Sequence, residues 1–121
     1  MKLEILPDEL SVVKLRDADQ IKRDGSFYFV GRTDQEISLV CPTGDVPEDT
    51  LARDDGWRAF RICGELDFSL IGILSGIASI LADAKIGIFA VSTYNTDYML
   101  TKKEHFDRAV QVLKDKGYMF E

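Results

Sequence analysis

The spacing of apolar positions changes period several times along this chain, and each change predicts an element. "WRAFRIC" (Trp57 to Cys63) is short, aromatic and apolar at its centre, which predicts a strand. In the segment that follows, Leu70, Leu74, Ile77 and Leu81 recur at helical spacing, as do Ile73, Ile77, Ile80 and Ala84. The stripe is wide, as a helix packed on a sheet requires, and the helix is predicted to end near Ala84. Asp67 or Ser69 is the expected N-cap, because a side-chain oxygen there accepts an otherwise unpaired backbone N–H. "IGIFAV" (Ile86 to Val91) predicts a strand, and "DYMLT" (Asp97 to Thr101) its hairpin partner. "KKEHFDRAVQVLKDKG" places Phe106, Ala109, Val110 and Leu113 on one stripe, with Lys114 and Lys116 in its last turn and Gly117 to stop it. "YMF" (Tyr118 to Phe120) is a short last strand. The order β-α-β-β-α-β predicts an α+β, ferredoxin-like fold: an antiparallel sheet with two helices on one face.

The N-terminal half is less regular. "ELSVVKL" (Glu9 to Leu15) predicts a strand, "DADQIKR" one or two helical turns, and "SFYFVGR" with "EISLVCP" a hairpin. "TGDVPEDTLARDDG" is rich in acids, Gly and Pro and is expected to connect the two halves. An internal repeat suggests itself. Aligning Val30 to Leu39 with Val91 to Leu100 matches strand, polar turn, acid and strand, with Thr33 opposite Tyr94 and Glu36 opposite Asp97. Two unrelated hairpins would also look alike at this level, since all alternating strands do. On this pattern the expected division is an abbreviated unit over residues 1–55 and a complete one over 56–121.

Composition narrows the function. The 121 residues are 45% hydrophobic and 30% charged, enough apolar mass for a core. The net charge is −6 and the pI about 4.8. The fifteen basic residues form no block, so neither a nucleic-acid nor a membrane-surface partner is expected. No apolar run approaches the roughly 20 residues that span a bilayer, and the first residues do not read as a signal peptide, so a cytoplasmic location is expected. Cys41 and Cys63 share no metal-binding spacing and lie in strand-like runs, where buried thiols are expected. His105, the one histidine, falls on a charged helix face without a partner in sequence. No nucleophile–base pair, phosphate loop or dinucleotide fingerprint is present, and neither an enzyme nor a cofactor is expected.

What exceeds the needs of a fold is "STYNTDY". A turn requires polar residues, but not Thr93, Tyr94, Asn95, Thr96 and Asp97 together. A free amino acid carries an ammonium, which an acid such as Asp97 accepts. It also carries a carboxylate, which a helix N-terminus such as Asp67-Phe68-Ser69-Leu70 satisfies. Simpler roles remain open for each group: Asp67 and Ser69 as caps, the hydroxyls as turn bonds, Arg32 with Glu36 as a cross-strand ion pair. The residues by themselves are compatible with amino-acid binding without chemistry and equally with a ligand-free interaction or dimerisation module.

"FSLIGILSGIASILADAKIGIFAVSTYNTDYML" resembles the ACT domain, a small amino-acid-binding regulatory module. Gly72 stands where that family has its turn glycine, and "KIGI" (Lys85 to Ile88) matches the following strand. The family's Asp-x-x-Gly reads here Ser69-Leu70-Ile71-Gly72, with Asp67 two residues earlier. "LDFSLIGIL" and "VSTYNTDY" are similar, more narrowly, to small tandem-ACT proteins related to the ACT repeats of eukaryotic cytosolic arginine sensors, which also carry an "RT-x-x-E" segment, here Arg32, Thr33 and Glu36. The resemblance implies two tandem ACT units, the first abbreviated, and a ligand at a unit or subunit interface. Its site would use Asp67, Phe68, Ser69, Leu70, Gly72, Thr93, Tyr94, Asn95, Thr96, Asp97, Arg32, Thr33 and Glu36. It further implies a homodimer and a regulated protein partner.

Overall fold

The computed structural model describes residues 1–64 and 72–121. They form two units, Asp8–Trp57, and Met1–Pro7 together with Arg58–Glu121. No helix among the described residues is long and apolar enough to cross a membrane.

The larger unit holds β1 (Lys2–Ile5), the last residues of β5 (Ala52–Ile62), α1 (Ile73–Asp83), β6 (Phe89–Ser92), β7 (Asp97–Lys102), α2 (Lys103–Asp115) and β8 (Met119–Phe120). From β5 to β8 this is the expected β-α-β-β-α-β order. β1 was not predicted, because four residues with one charge among them carry too little periodicity. It pairs antiparallel with β5, Leu3 opposite Ile62 and Ile5 opposite Phe60. It also pairs parallel with β8, Lys2 opposite Met119. The sheet is therefore mixed, not purely antiparallel as expected. β8 and β1 both run opposite to β5, so where they meet side by side they must be parallel.

Alternation along the strands decides what is buried. Leu3, Phe60, Ile62 and Met99 share one core with Ile77 and Leu81 of α1 and with Phe106, Ala109, Val110 and Leu113 of α2. Both helices thus cover the same face of the sheet, as the apolar stripes required. Phe60 is fully buried, with the Phe106 and Phe120 rings at centroid distances of 6.3 and 5.7 Å. The Arg58 guanidinium lies 4.9 Å over the Phe106 ring. Arg108 of α2 donates to the carbonyl of Ala84 at 2.6 Å, which caps the end of α1.

The start of α1 differs from expectation. The helix begins at Ile73, and its N-cap is Gly72, in left-handed backbone with φ of 84° and no side-chain cap bond. A side chain there would be strained, which gives the glycine a backbone reason. Asp67, Phe68, Ser69 and Leu70 lie outside the described residues. Gly117, with φ of 99°, ends α2 as expected.

The smaller unit holds β2 (Leu10–Leu15), β3 (Phe29–Arg32), β4 (Ile37–Pro42) and the first residues of β5. β2 pairs antiparallel with β4 and with β5, and β3 with β4. The strand β5 begins inside the acid-rich segment expected to be a connection, at Ala52. In place of two helices there are single 3-10 turns, Ala18–Gln20 and Thr43–Asp45. Asp17 and Gln20 close the first with a reciprocal capping box. Its core is Val13, Leu15, Leu39 and Cys41. Burial pushes the Cys41 thiol up to about 11, with the Asp45 charge adding to the shift. Cys63 is only half-buried, against the expectation of a buried thiol, because it lies just past the end of β5.

The two hairpins repeat, but not in the alignment given above. Arg32 pairs with Ile37 and Ser92 with Asp97, each pair closing a four-residue loop. The Thr33 N–H donates to Glu36 O at 2.9 Å, and the Thr93 N–H to Thr96 O at 2.8 Å. In each loop the threonine hydroxyl accepts the fourth residue's N–H, Glu36 at 3.2 Å and Thr96 at 3.4 Å. β4 and β7 then share one burial pattern over six residues. Thr33 therefore corresponds to Thr93, and Glu36 to Thr96 rather than Asp97. The sequence alignment matched Val30 to Val91 and slipped by one. In a hairpin the turn sets the register, and a one-residue slip moves every side chain to the other face.

Phe60→Ala is expected to cost about 3–5 kcal/mol in urea unfolding, since it opens a cavity beneath both helices. Thr96→Val is expected to cost about 1–3 kcal/mol, because the Thr96 hydroxyl donates to the carbonyl of the buried Ile62 at 2.8 Å. The corresponding change in the other hairpin, Glu36→Ala, is exposed and is expected to stay within about 0.5 kcal/mol.

Candidate functional site

The burial of Phe60, Ile62, Leu3, Ile5 and Met99 toward the helices leaves Arg61, Glu4 and Tyr98 on the opposite face, since neighbours along a strand alternate. β1, β5 and β7 bring these three together. Glu4 stands across from Arg61 in the ladder. Nε and Nη2 of Arg61 each lie 3.0 Å from Glu4 Oε1. Nη1 donates to the Tyr98 hydroxyl at a longer 3.4 Å. The bonds to Tyr98 and then to Glu4 push the Arg61 guanidinium above its ordinary range, so it is charged at any working pH.

These side chains floor a cavity of about 440 Å³ whose other walls are Ile62, Cys63, Gly64, Asn95, Thr96 and Glu121. The volume falls in the range of small-molecule sites. Glu121 lies at the chain's C-terminal end, where its side chain meets Lys2 Nζ at 3.7 Å and Cys63 Sγ at 3.8 Å. Burial, then the charges of Glu121 and Glu4, raise the Cys63 thiol, which keeps it protonated near neutral pH. Thr96 is turned inward to Ile62 and pins the hairpin to the end of β5. Gly64 has φ of 82° and, among the described residues, no atom near the place of a Cβ, and it lines the cavity.

The structure distributes the residues singled out from sequence over several places. Asn95 and Thr96 line the cavity. Thr93 serves the turn: its hydroxyl donates to Thr96 O at 3.0 Å. Tyr94 is 82% exposed at the hairpin tip. Asp97 follows the parity of Met99 and so belongs to the helix side of the sheet, away from Tyr98. Gly72 is the N-cap of α1. Arg32, Thr33 and Glu36 belong to the other unit, where Thr33 orders its turn and Glu36 accepts from Ser38 at 2.6 Å. No ion pair joins Arg32 to Glu36 among the described residues. Arg61, Glu4, Tyr98 and Glu121 had not been singled out. The alternation in "AFRI", with a charge between two buried apolar residues, was the available signal for Arg61; nothing local pointed to Glu4 or Glu121, which join through the ladder and the chain end.

Comparison with known proteins places the chain. The ACT domain model matches residues 52–115. No curated protein sequence matches. Among solved structures, a protein of Agobacterium tumefaciens is 31% identical, with a TM-score of 0.87 over 99% of this chain and 91% of that one. A protein of unknown function from Vibrio cholerae, described as a possible transport protein, is 17% identical, with a TM-score of 0.73 over 92% of this chain and 85% of that one. Aspartate kinase of Clostridium acetobutylicum is 12% identical, with a TM-score of 0.66 over 90% of this chain and 33% of the enzyme. The last two are likenesses of fold alone. ACT domains are in general regulatory domains for small molecules, amino acids above all. With its model matched over more than half the length, and the β-α-β-β-α-β order it implies running from β5 to β8, the chain belongs to the ACT domain family.

Proposed function

We propose that this chain is a sensor that binds an amino acid or a similar metabolite and performs no chemistry. The observation that carries this reading is the cavity of about 440 Å³ at the 93–96 hairpin, where charged and amide groups converge on the end of β5. The likeness of fold to aspartate kinase, titled an allosteric enzyme for amino-acid production, supports it. The residues proposed to respond to ligand are the hairpin, Thr93 to Asp97, and the start of α1 at Gly72, with Asp67, Phe68, Ser69 and Leu70 preceding it. Arg32, Thr33 and Glu36 are the corresponding hairpin residues of the smaller unit.

The same proposal reads the smaller unit as an abbreviated ACT-type unit in tandem with the complete one. Its support is the constant offset between the two hairpins, Thr33 to Thr93 and Ile37 to Asp97. Met1–Pro7 then lends a strand to the complete unit. The chain works as a cytoplasmic homodimer and passes its signal to a regulated partner protein. Binding acts only through a difference in affinity between two arrangements of the assembly.

A thermal-shift screen against the twenty amino acids and related metabolites tests this. A true ligand at 100 times its dissociation constant adds about 2.7 kcal/mol, a rise of several degrees in Tm. The expected result is a shift for one or two compounds, reduced in Asn95→Ala, whose side chain lines the cavity. A flat screen at millimolar concentration overturns the sensor reading and leaves a ligand-free interaction module.

A further inference from the structure

The face of the sheet turned away from the helices carries an arrangement of charges that the fold does not need. A lone ion pair between Glu4 and Arg61 would serve the strand ladder. Here the pair lies in an open cavity with a second carboxylate, Glu121, and the Asn95 carboxamide. Of the five N–H groups of Arg61, Glu4 engages two and Tyr98 one, which leaves one on each terminal nitrogen. Glu121 has only long contacts, at 3.7 and 3.8 Å, beyond the roughly 2.7–2.9 Å of a strong charge-assisted bond. The Asn95 carboxamide has no hydrogen bond among the described residues and is exposed at the cavity.

We infer that this cavity holds the head group of a zwitterion, an α-amino acid, with its carboxylate on Arg61 and its ammonium on Glu121. This deepens the sensor reading and rests on it. The two free guanidinium N–H groups match the two oxygens of a carboxylate. Glu121 supplies the acceptor that an ammonium, with three donors and no acceptor, requires. Asn95 offers both a donor and an acceptor to the ligand's polar groups, and Gly64, without a side chain, lets a head group approach closely.

The test uses the full chain and whichever of the twenty amino acids gives the largest thermal shift. Its dissociation constant is measured by calorimetry for the natural chain, for Arg61→Gln and for Glu121→Gln, with circular dichroism to check the fold. Backbone and side-chain amide shifts are recorded in an ¹⁵N-labelled sample during the titration. The expected result is a loss of at least about tenfold in affinity in each variant. It also includes amide shifts at Gly64 and the Asn95 carboxamide. Should Arg61→Gln fail to fold, the exposed Glu121→Gln and the amide map still decide. A ligand whose affinity neither variant changes, with shifts gathered at Gly72 and Asp97 instead, overturns this placement and leaves the sensor reading standing. The absence of any amino-acid ligand overturns this placement, and the absence of a related metabolite as well overturns both.

Discussion

The alternation of β5 is the constraint on which the larger unit depends. Phe60 and Ile62 are buried under α1 and α2, so Arg61 has no choice of side. The same parity in β1 buries Leu3 and Ile5 and turns Glu4 outward; in β7 it buries Met99 and turns Tyr98 outward. Three polar groups thus meet on one face as a by-product of packing three strands on the other. The core fixes the placement of the charges, while their mutual hydrogen bonds only refine it. That order of cause matters energetically. Half-exposed ion pairs contribute about 0–1 kcal/mol, whereas each large side chain buried beneath the helices contributes about 1.5–3 kcal/mol.

The Thr96 hydroxyl donates to Ile62 O and ties the turn of the hairpin to the end of β5, beside which β7 pairs. The threonine that opens the loop, Thr93, holds its geometry from within. The smaller unit repeats the loop with Thr33 but replaces Thr96 with an exposed Glu36, whose carboxylate turns to Ser38. One loop geometry therefore has two uses. In the smaller unit it closes a hairpin; in the larger it also pins a turn beside a cavity. In the smaller unit Ile21, Tyr28, Ile37 and Val46 pack against the core of Val13, Leu15, Leu39 and Cys41.

Membership of the ACT domain family accounts for the sheet and the two helices, and for a regulatory role. Within that frame, Arg61, Glu4 and Tyr98 gather on the face of the sheet turned away from the helices.

By itself the sequence determined the helices with their apolar stripes and the hairpin of β6 and β7, because periods of 3.6 and 2 are local properties that each segment carries alone. It also marked the 93–97 stretch as richer in polar groups than a turn requires. Tertiary structure alone decided the rest. β1 became visible only through its ladders with β5 and β8, since four residues hold no readable period. The register of the two hairpins depends on their turns, so Glu36 corresponds to Thr96 although the flanking valines align it with Asp97. The cavity drew Glu4, Arg61, Asn95 and Glu121 from opposite ends of the chain. No local pattern encodes such a meeting, because it is set by which strands pair and in which direction, and pairing is a property of the whole sheet.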